Sequence, residues 1–270
     1  MLSPSYSSSE KAARVVEILR AAAPVLVAYS GGVDSTVLLA LAAELPPGSA
    51  CGILADSPSL PRSALRAALD EAKRIGIPVR VLVTTELDNP DYASNPPNRC
   101  YFCKAELFQK MEATAAESGF ASLAYGENAD DPPAERPGSR AAMEFRVLAP
   151  LRDAGLHKAE IRELARARGL RAAESPASPC LSSRIPYGIP VTREALSRIE
   201  NGEEILRAAG FRILRVRHLV DARGPVALVQ VAPAELPRLT ALEPQIIPAL
   251  LAAGFAAVEI DPLGYRGRVD

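Results

Sequence analysis

Five residues of apolar character, Val25 to Tyr29, run into the polar string Ser30-Gly31-Gly32-Val33-Asp34-Ser35, and an apolar-rich stretch then continues to Leu45. That order predicts a buried strand over Val25–Ser30, a glycine turn, and a helix over Val33–Leu45 halted by Pro46-Pro47-Gly48. The same alternation repeats. Strands are expected at Ala50–Ala55, Pro78–Thr84 and Ala121–Tyr125, and helices at Pro61–Ile75 and Lys104–Ser118. Leu65 and Leu69 keep helical spacing, and Gly76 and Gly119 mark helix ends. A loose tail over 1–10 and a short helix over 11–23 come before all of them. Strands and helices in alternation predict βαβ units and a parallel sheet. Such sheets bind ligands beyond the carboxyl ends of their strands, where Ser30, Asp56, Thr84 and Glu127 fall.

The pattern changes further along. Ala129–Arg140 is rich in Pro, Asp and Gly and reads as a loop; a helix comes next over His157–Arg168. Ser175–Pro190 holds clustered prolines and serines and reads as a connector and site loop. Beyond it the order is a helix across 192–209, strands near 212–217 and 226–232, a helix near 242–253 and a strand at 256–260. The expectation is an α/β chain. A Rossmann-like parallel domain covers 1–185, and a smaller α+β domain for substrate binding or oligomerisation covers 186–270. No internal repeat is visible.

Composition narrows the class. The chain has 270 residues, 48% of them hydrophobic, enough for one large core or two modest ones. Lys plus Arg is 31 against 32 Asp plus Glu, and no polybasic run appears, so neither nucleic acid nor a membrane surface is an expected partner. No apolar run is long enough to span a bilayer, and the start MLSPSYSSSEKAARVV lacks a signal-peptide layout. Four cysteines are too few to staple a chain of this length, so a reducing, cytoplasmic setting is expected.

The candidate chemistry lies in four strings. In the first, Gly31 and Gly32 let backbone N–H groups approach a phosphate, and Ser30 and Ser35 add hydroxyl donors. The string lacks the Lys of a Walker A loop and the spacing of GxGxxG. Asp34 would repel phosphate unless a divalent cation bridges them; the plain alternative is a helix-start residue. Asp56 would lie near a nucleotide or its metal, or else serve only its turn. In the second, Arg99-Cys100-Tyr101-Phe102-Cys103-Lys104, the spacing fits a redox pair, half a zinc site or part of an iron–sulfur site. In the third, Pro179-Cys180-Leu181-Ser182-Ser183-Arg184, one cysteine sits in a polar loop, where Arg184 would favour its thiolate. Cys51, inside CGILA, reads as core, and His157 and His218 as isolated structural residues. In the fourth, Arg215 and Arg217 share one face of a strand, suiting a phosphate monoester or carboxylates, or simply a solvated face.

The first string resembles the loop of the PP-loop ATP pyrophosphatases. Together, SGGVDS, GILADSPSLPR, RCYFCK, AYGENADD, HKAEIRELARARGL, PCLSSRIPYG, RVRH and DPLGYRG resemble the LarE family of ATP-dependent sulfur transferases over nearly the full length. The family makes the nickel-pincer nucleotide cofactor of lactate racemase. The resemblance implies an adenine nucleotide alpha hydrolase fold. It implies ATP and Mg²⁺ at Ser30, Gly31, Gly32, Asp34, Ser35 and Asp56, and substrate phosphate at Arg215 and Arg217. The implied reaction adenylates pyridinium-3,5-biscarboxylic acid mononucleotide and converts its carboxylates to thiocarboxylates.

Two sulfur sources occur in that family. One type sacrifices its own cysteine, here Cys180. The other holds an oxygen-sensitive [4Fe–4S] cluster on three cysteines, here Cys100, Cys103 and Cys180, with hydrogensulfide on the open iron; this type gives the RCYFCK pair a role. Asp34, Cys180 and Arg184 are then the catalytic candidates. A downstream nickel-inserting enzyme and a homo-oligomer are the implied partners. Two other readings are an amide-forming synthetase on the same loop, which needs no clustered thiols, and a nucleotide-sensing scaffold without turnover. The chain departs from the family in one strand: Gln230 stands where a glutamate is usual, so Glu200, Glu203 and Glu204 become candidates for a missing acid.

Overall fold

The computed structural model describes residues 7–131, 137–174 and 179–265. Residues 1–6 of the tail expected over 1–10, parts of the two proline-rich loops, and the end of the DPLGYRG string lie outside them; the rest of that tail is helical from Ser8, where Ser7 caps the first turn. In chain order the elements begin α1 (Ser8–Ala21), β1 (Val25–Tyr29), α2 (Val33–Ala42), β2 (Ala50–Asp56), α3 (Arg62–Ile75), β3 (Val79–Val83) and α4 (Pro90–Ala93). They continue with α5 (Arg99–Ser118), β4 (Ser122–Tyr125), α6 (Pro137–Glu144), α7 (Pro150–Asp153) and α8 (Lys158–Ala167). Last come α9 (Arg193–Ala208), β5 (Leu214–Asp221), β6 (Gly224–Val231), α10 (Leu236–Ala252) and β7 (Ala257–Ile260). Among the described residues no helix is long and apolar enough to cross a membrane.

The chain divides into two compact units: residues 1–86 with 98–178, and residues 87–97 with 179–270. The first holds a parallel sheet in the order β3-β2-β1-β4, the Rossmann-like layout expected. β1 is apolar throughout because it is central and covered on both faces. Val25, Val27 and Tyr29 join the core made with α1, α2 and α8, while Leu26 joins the opposite core with Phe108 and Met111 of α5 and Ala141 of α6. Each large apolar side chain so buried contributes about 1.5–3 kcal/mol. Ser7 starts α1 through a capping box with Glu10, whose carboxylate accepts from the Ser7 N–H at 2.7 Å.

Sheet order reverses between β1 and β4. From β1 the chain steps outward through β2 to β3, then returns to the other side of β1. The two strands that flank this switch lead into the glycine turn and into Gly126. A Cβ on Gly126 would lie 2.8 Å from the Ser35 nitrogen and 3.0 Å from its Cα, so the chain after β4 packs directly on the first turn of α2.

The second unit has a three-stranded sheet, β5-β6-β7, with β5 antiparallel and β7 parallel to β6. Val216, Ala227, Val229 and Val231 form its core with Leu206, Leu239, Ile246 and Leu250 from the helices. His218 is buried beside Phe255, its Nδ1 without a partner among the described residues. The short 87–97 segment is stitched into the loop after Cys180. Asn95, at φ +59°, donates through Nδ2 to the carbonyls of Pro186 and Ile189, both at 2.8 Å. Tyr92 Oη and Ser182 Oγ are 2.8 Å apart.

Three expectations need correction. α5 begins at Arg99, five residues before the expected Lys104, so Cys100 and Cys103 lie on a helix and not in a loop. α6 begins inside the expected loop; Pro137 supplies a helix-ready φ, and Ser139, Ala141 and Ala142 are buried. α10 starts at Leu236 and runs through Pro244 and Pro248, because Leu239, Ile246 and Leu250 make one buried face that outweighs the lost hydrogen bonds.

This packing has two measurable consequences. Gly126→Ala forces a methyl onto α2 backbone and should cost about 1–3 kcal/mol, read as a lower denaturant midpoint for the parallel unit; an unchanged midpoint would show that the loop yields freely. His218 has its pKa pushed below the ordinary histidine value, first by burial and then by Arg198. The unfolded chain therefore takes up a proton that the folded one resists. The stability gained by keeping His218 neutral is present above the unfolded-state pKa and drains away as pH falls through it, from about 6.5 downward. The thermal midpoint of His218→Leu should fall less than the wild type's between pH 7 and pH 5, and parallel curves would refute the assignment.

Candidate active site

The glycine turn of the parallel unit is held by its own serines. Ser35 Oγ donates to the Gly32 carbonyl at 3.0 Å and accepts from the Ser30 N–H at 3.2 Å; the two hydroxyl oxygens are 3.1 Å apart. Gly31 adopts φ +77°, and a Cβ there would meet Ala68 at 3.0 Å, so glycine is required on both counts. Gly32 caps α2 with backbone alone, and no side chain takes up the first N–H groups of the helix. Those donors and the helix's positive end face outward from a rigid turn, an arrangement suited to an anion.

Asp34 sits on that first turn. Its Oδ1 is buried and has no partner among the described residues, while Oδ2 accepts from Lys158 Nζ at 2.5 Å. Lys158 begins α8, and Asp130 sets that start: Oδ2 accepts from the Lys158 N–H, and Oδ1 lies 2.6 Å from His157 Nδ1. The backbone N–H of Lys158, then His157, hold the Asp130 carboxyl below its usual pKa. Lys158 lies in the HKAEIRELARARGL string, yet nothing in that string assigns it a role. Its partner is 124 residues away, and no local periodicity announces the pair.

Glu127, just past β4, is buried and accepts from Ser139 and from Arg152 Nη1, the latter at 2.6 Å. Sequence reasoning also missed Ser139 and Arg152, because it is α6 and α7 that bring them there. Asp56 pairs with Arg62, whose guanidinium also donates to the Ser57 and Leu60 carbonyls at 2.7 and 2.8 Å. In this state Asp56 serves its own turn. Cys100 and Cys103 stand on the first turns of α5, one exposed and one half-buried, and their i, i+3 spacing puts them on one helix face. Cys51 is core, its thiol pKa pushed up by burial.

In the second unit Cys180 is a half-buried residue at the start of a 3-10 turn, Leu181–Arg184. Arg184 is 3% exposed and Glu203 fully buried. Their side chains pair twice, Nε to Oε1 at 2.8 Å and Nη2 to Oε2 at 3.1 Å. Arg207 adds a bond to Glu203 at 2.8 Å. Arg184 Nη1 donates to the Pro179 and Cys180 carbonyls, so this arginine grips the backbone that carries the cysteine. Glu203, named from sequence only as a possible replacement acid, is committed to this clamp.

Arg215 and Arg217 do share one face of β5. Arg215 donates to Tyr265 Oη at 3.0 Å and lies over its ring at 4.7 Å. Burial holds the Arg215 pKa below its ordinary value, with Arg184 and Arg217 pushing the same way. Arg217 donates to Gln230 Oε1 at 3.0 Å. Within neither unit do three Cys, His, Asp or Glu side chains gather as a metal site among the described residues. The structure thus assembles two sets: Ser30, Gly31, Gly32, Asp34 and Ser35 with Lys158, and Arg184, on the Cys180 carbonyl, with Arg215 and Arg217 near enough to act on one another's charge.

No family model matches the chain. Individual proteins do. An uncharacterized protein of Synechocystis is 37% identical over 89% of this chain and 89% of its own length. The pyridinium-3,5-bisthiocarboxylic acid mononucleotide synthase of Lactiplantibacillus plantarum is 29% identical over 96% of this chain and 94% of its own. An uncharacterized protein of Methanocaldococcus jannaschii is 30% identical over 72% of this chain and 73% of its own. With the parallel sheet, its glycine turn and this near-complete overlap, the chain belongs to the LarE family.

Proposed function

We propose that this chain is an ATP-dependent sulfur transferase. It adenylates the carboxylates of pyridinium-3,5-biscarboxylic acid mononucleotide, releasing pyrophosphate, and then converts each acyl-adenylate to a thiocarboxylate, releasing AMP. The observation that carries the reading is Asp34: a carboxylate with one buried oxygen unpartnered and the other on Lys158, on an uncapped helix start beside two glycines. The likeness to the Lactiplantibacillus synthase, named for making pyridinium-3,5-bisthiocarboxylic acid mononucleotide, supports the corresponding biscarboxylic acid as the substrate.

The chemistry is set by these groups. A carboxylate holds its oxygen too tightly to accept a sulfur nucleophile, and adenylation turns that oxygen into a leaving group. The N–H groups of the turn and the Ser30 and Ser35 hydroxyls bind phosphate oxygens. Asp34 is acceptor-only and must be separated from phosphate by a cation, and its unpartnered oxygen fits one. Mg²⁺, when bound there, neutralises charge on the departing pyrophosphate. With a cation held by Asp34, the Lys158 ammonium would be available to the phosphates. Arg215 and Arg217 take the 5′-phosphate of the mononucleotide through charge-assisted bonds.

For sulfur, Cys100, Cys103 and Cys180 are three cysteines whose soft donor set fits a [4Fe–4S] cluster. The cluster, when bound, supplies hydrogensulfide as the sulfur source. Cys100 and Cys103 belong to the parallel unit and Cys180 to the second. In a second reading Cys180 alone gives up its sulfur, which needs only one of the three cysteines. The product goes to a nickel-inserting enzyme, and the protein works as a homo-oligomer.

Labelled ATP with the mononucleotide should yield AMP and pyrophosphate; ADP and orthophosphate would rule the mechanism out. Asp34→Ala should slow pyrophosphate release at least about a hundredfold, since the phosphate charge loses its counter-cation. Protein purified without oxygen should carry about four irons per chain, and Cys100→Ala, Cys103→Ala or Cys180→Ala should each lower that content while Cys51→Ala does not. Iron-free activity with a mass loss of about 34 Da at Cys180, the H₂S lost in forming dehydroalanine, would select the sacrificial reading. Turnover with ammonia in a variant lacking all three thiols would instead mark an amide-forming synthetase.

A further inference from the structure

The arginine pair of β5 has an unusual set of neighbours. Among the described residues neither Arg215 nor Arg217 makes an ion pair; Arg215 bonds to a phenol and Arg217 to an amide. The amide is Gln230, which stands opposite Arg215 in the β5–β6 register and diagonal to Arg217. Gln230 is 8% exposed, so both of its polar atoms need partners inside the protein. Its Oε1 accepts from Arg217 Nε–H at 3.0 Å, and its Nε2 donates to Asp261 Oδ2 at 2.6 Å.

Asp261 decides which way the amide turns. A carboxylate only accepts, so the amide NH₂ must face it, and the amide carbonyl is thereby aimed at Arg217. Asp261 is itself fixed: its N–H donates to the Val229 carbonyl at 2.9 Å, and its Oδ1 accepts from the Leu263 N–H at 2.9 Å. A neutral acceptor on Nε orients the guanidinium without cancelling its charge and without occupying the Nη edge that grips an oxyanion. A carboxylate in the same place would pair with Arg217 and remove one charge from the face.

We propose that Gln230 and Asp261 are positioning residues that hold Arg217 oriented and fully charged, so that the Arg215–Arg217 pair selects the dianionic form of a phosphate monoester. The inference rests on the proposed role of this pair in binding the substrate's phosphate. It is tested by calorimetric titration of the full-length protein with nicotinate mononucleotide from pH 5 to pH 7.5, with ATP as the control ligand. A monoester loses its second proton near pH 6, so wild-type affinity should climb across that range. Gln230→Glu should weaken mononucleotide binding about tenfold at pH 7.5 and flatten the pH slope, leaving ATP affinity unchanged. Gln230→Met, which keeps the charge and loses the bridge, should weaken binding several-fold and keep the slope. Asp261→Asn, which lets the amide turn, should cost about threefold. If Arg217→Ala abolishes mononucleotide binding while Gln230→Glu and Gln230→Met both retain wild-type affinity and slope, the positioning role is wrong and the phosphate reading stands. If Arg217→Ala binds the mononucleotide as the wild type does, both are wrong.

Discussion

The parallel unit depends on one close approach, that of the chain leaving β4 onto the first turn of α2. The missing side chain at Gly126 allows it. Because β1 and β4 flank the point where sheet order reverses, the segments leaving their carboxyl ends must share one crevice. The glycine turn fills it from one side and Gly126 with Glu127 from the other. Glu127 ties the crevice to α6 and α7 through Ser139 and Arg152. Asp130 ties it to the start of α8, which delivers Lys158 to Asp34. A wider spacing at residue 126 would loosen each of these contacts, since all hang on backbone held at van der Waals distance.

The second unit is organised around a buried charge. Glu203 has no water to solvate it, and three groups answer: Arg184 twice, Arg207, and the Val216 N–H at 3.4 Å. Such a cluster adds little net stability over an apolar core, yet removing one partner costs about 3–5 kcal/mol because the other charge is left stranded. What the arrangement gains is placement. It links α9, β5 and the Cys180 turn in one network, and Arg184 reaches the two carbonyls that bracket the cysteine. The thiol therefore stands on backbone with few alternatives, which suits a group that must meet a reactive partner in one orientation.

Electrostatics differ between the two sets of residues. In the parallel unit an acid is balanced by a lysine on a flexible stem, a pair that separates when a cation competes for Asp34. In the second unit two planar guanidinium groups are oriented by neutral partners, Tyr265 and Gln230, and keep their charge. The first arrangement suits charge that arrives and departs with a nucleotide; the second suits a fixed anion.

The sequence by itself determined the parallel sheet and the location of the glycine turn. A short apolar run such as Val25–Tyr29, ended by a glycine turn and followed by a longer helical run, reads as a central strand, and a paired glycine between strand and helix has few uses. It also singled out candidate residues, because Cys100, Cys103, Cys180, Arg215 and Arg217 stand out by type and spacing. Hydrophobic periodicity misjudged α5, α6 and α10 at their starts, since the residues there are decided by burial against other elements and not by local propensity. Tertiary structure alone decided the partners. Lys158 meets Asp34 across 124 positions, and Asp261 reaches Gln230 across 31. Arg184, read from its neighbours as a group acting on the Cys180 thiol, turns out to spend its donors on Glu203 and on backbone carbonyls. Residue type fixes what a side chain can bond; which of those bonds it makes depends on what the fold brings within about 3 Å, and that is a property of the whole chain.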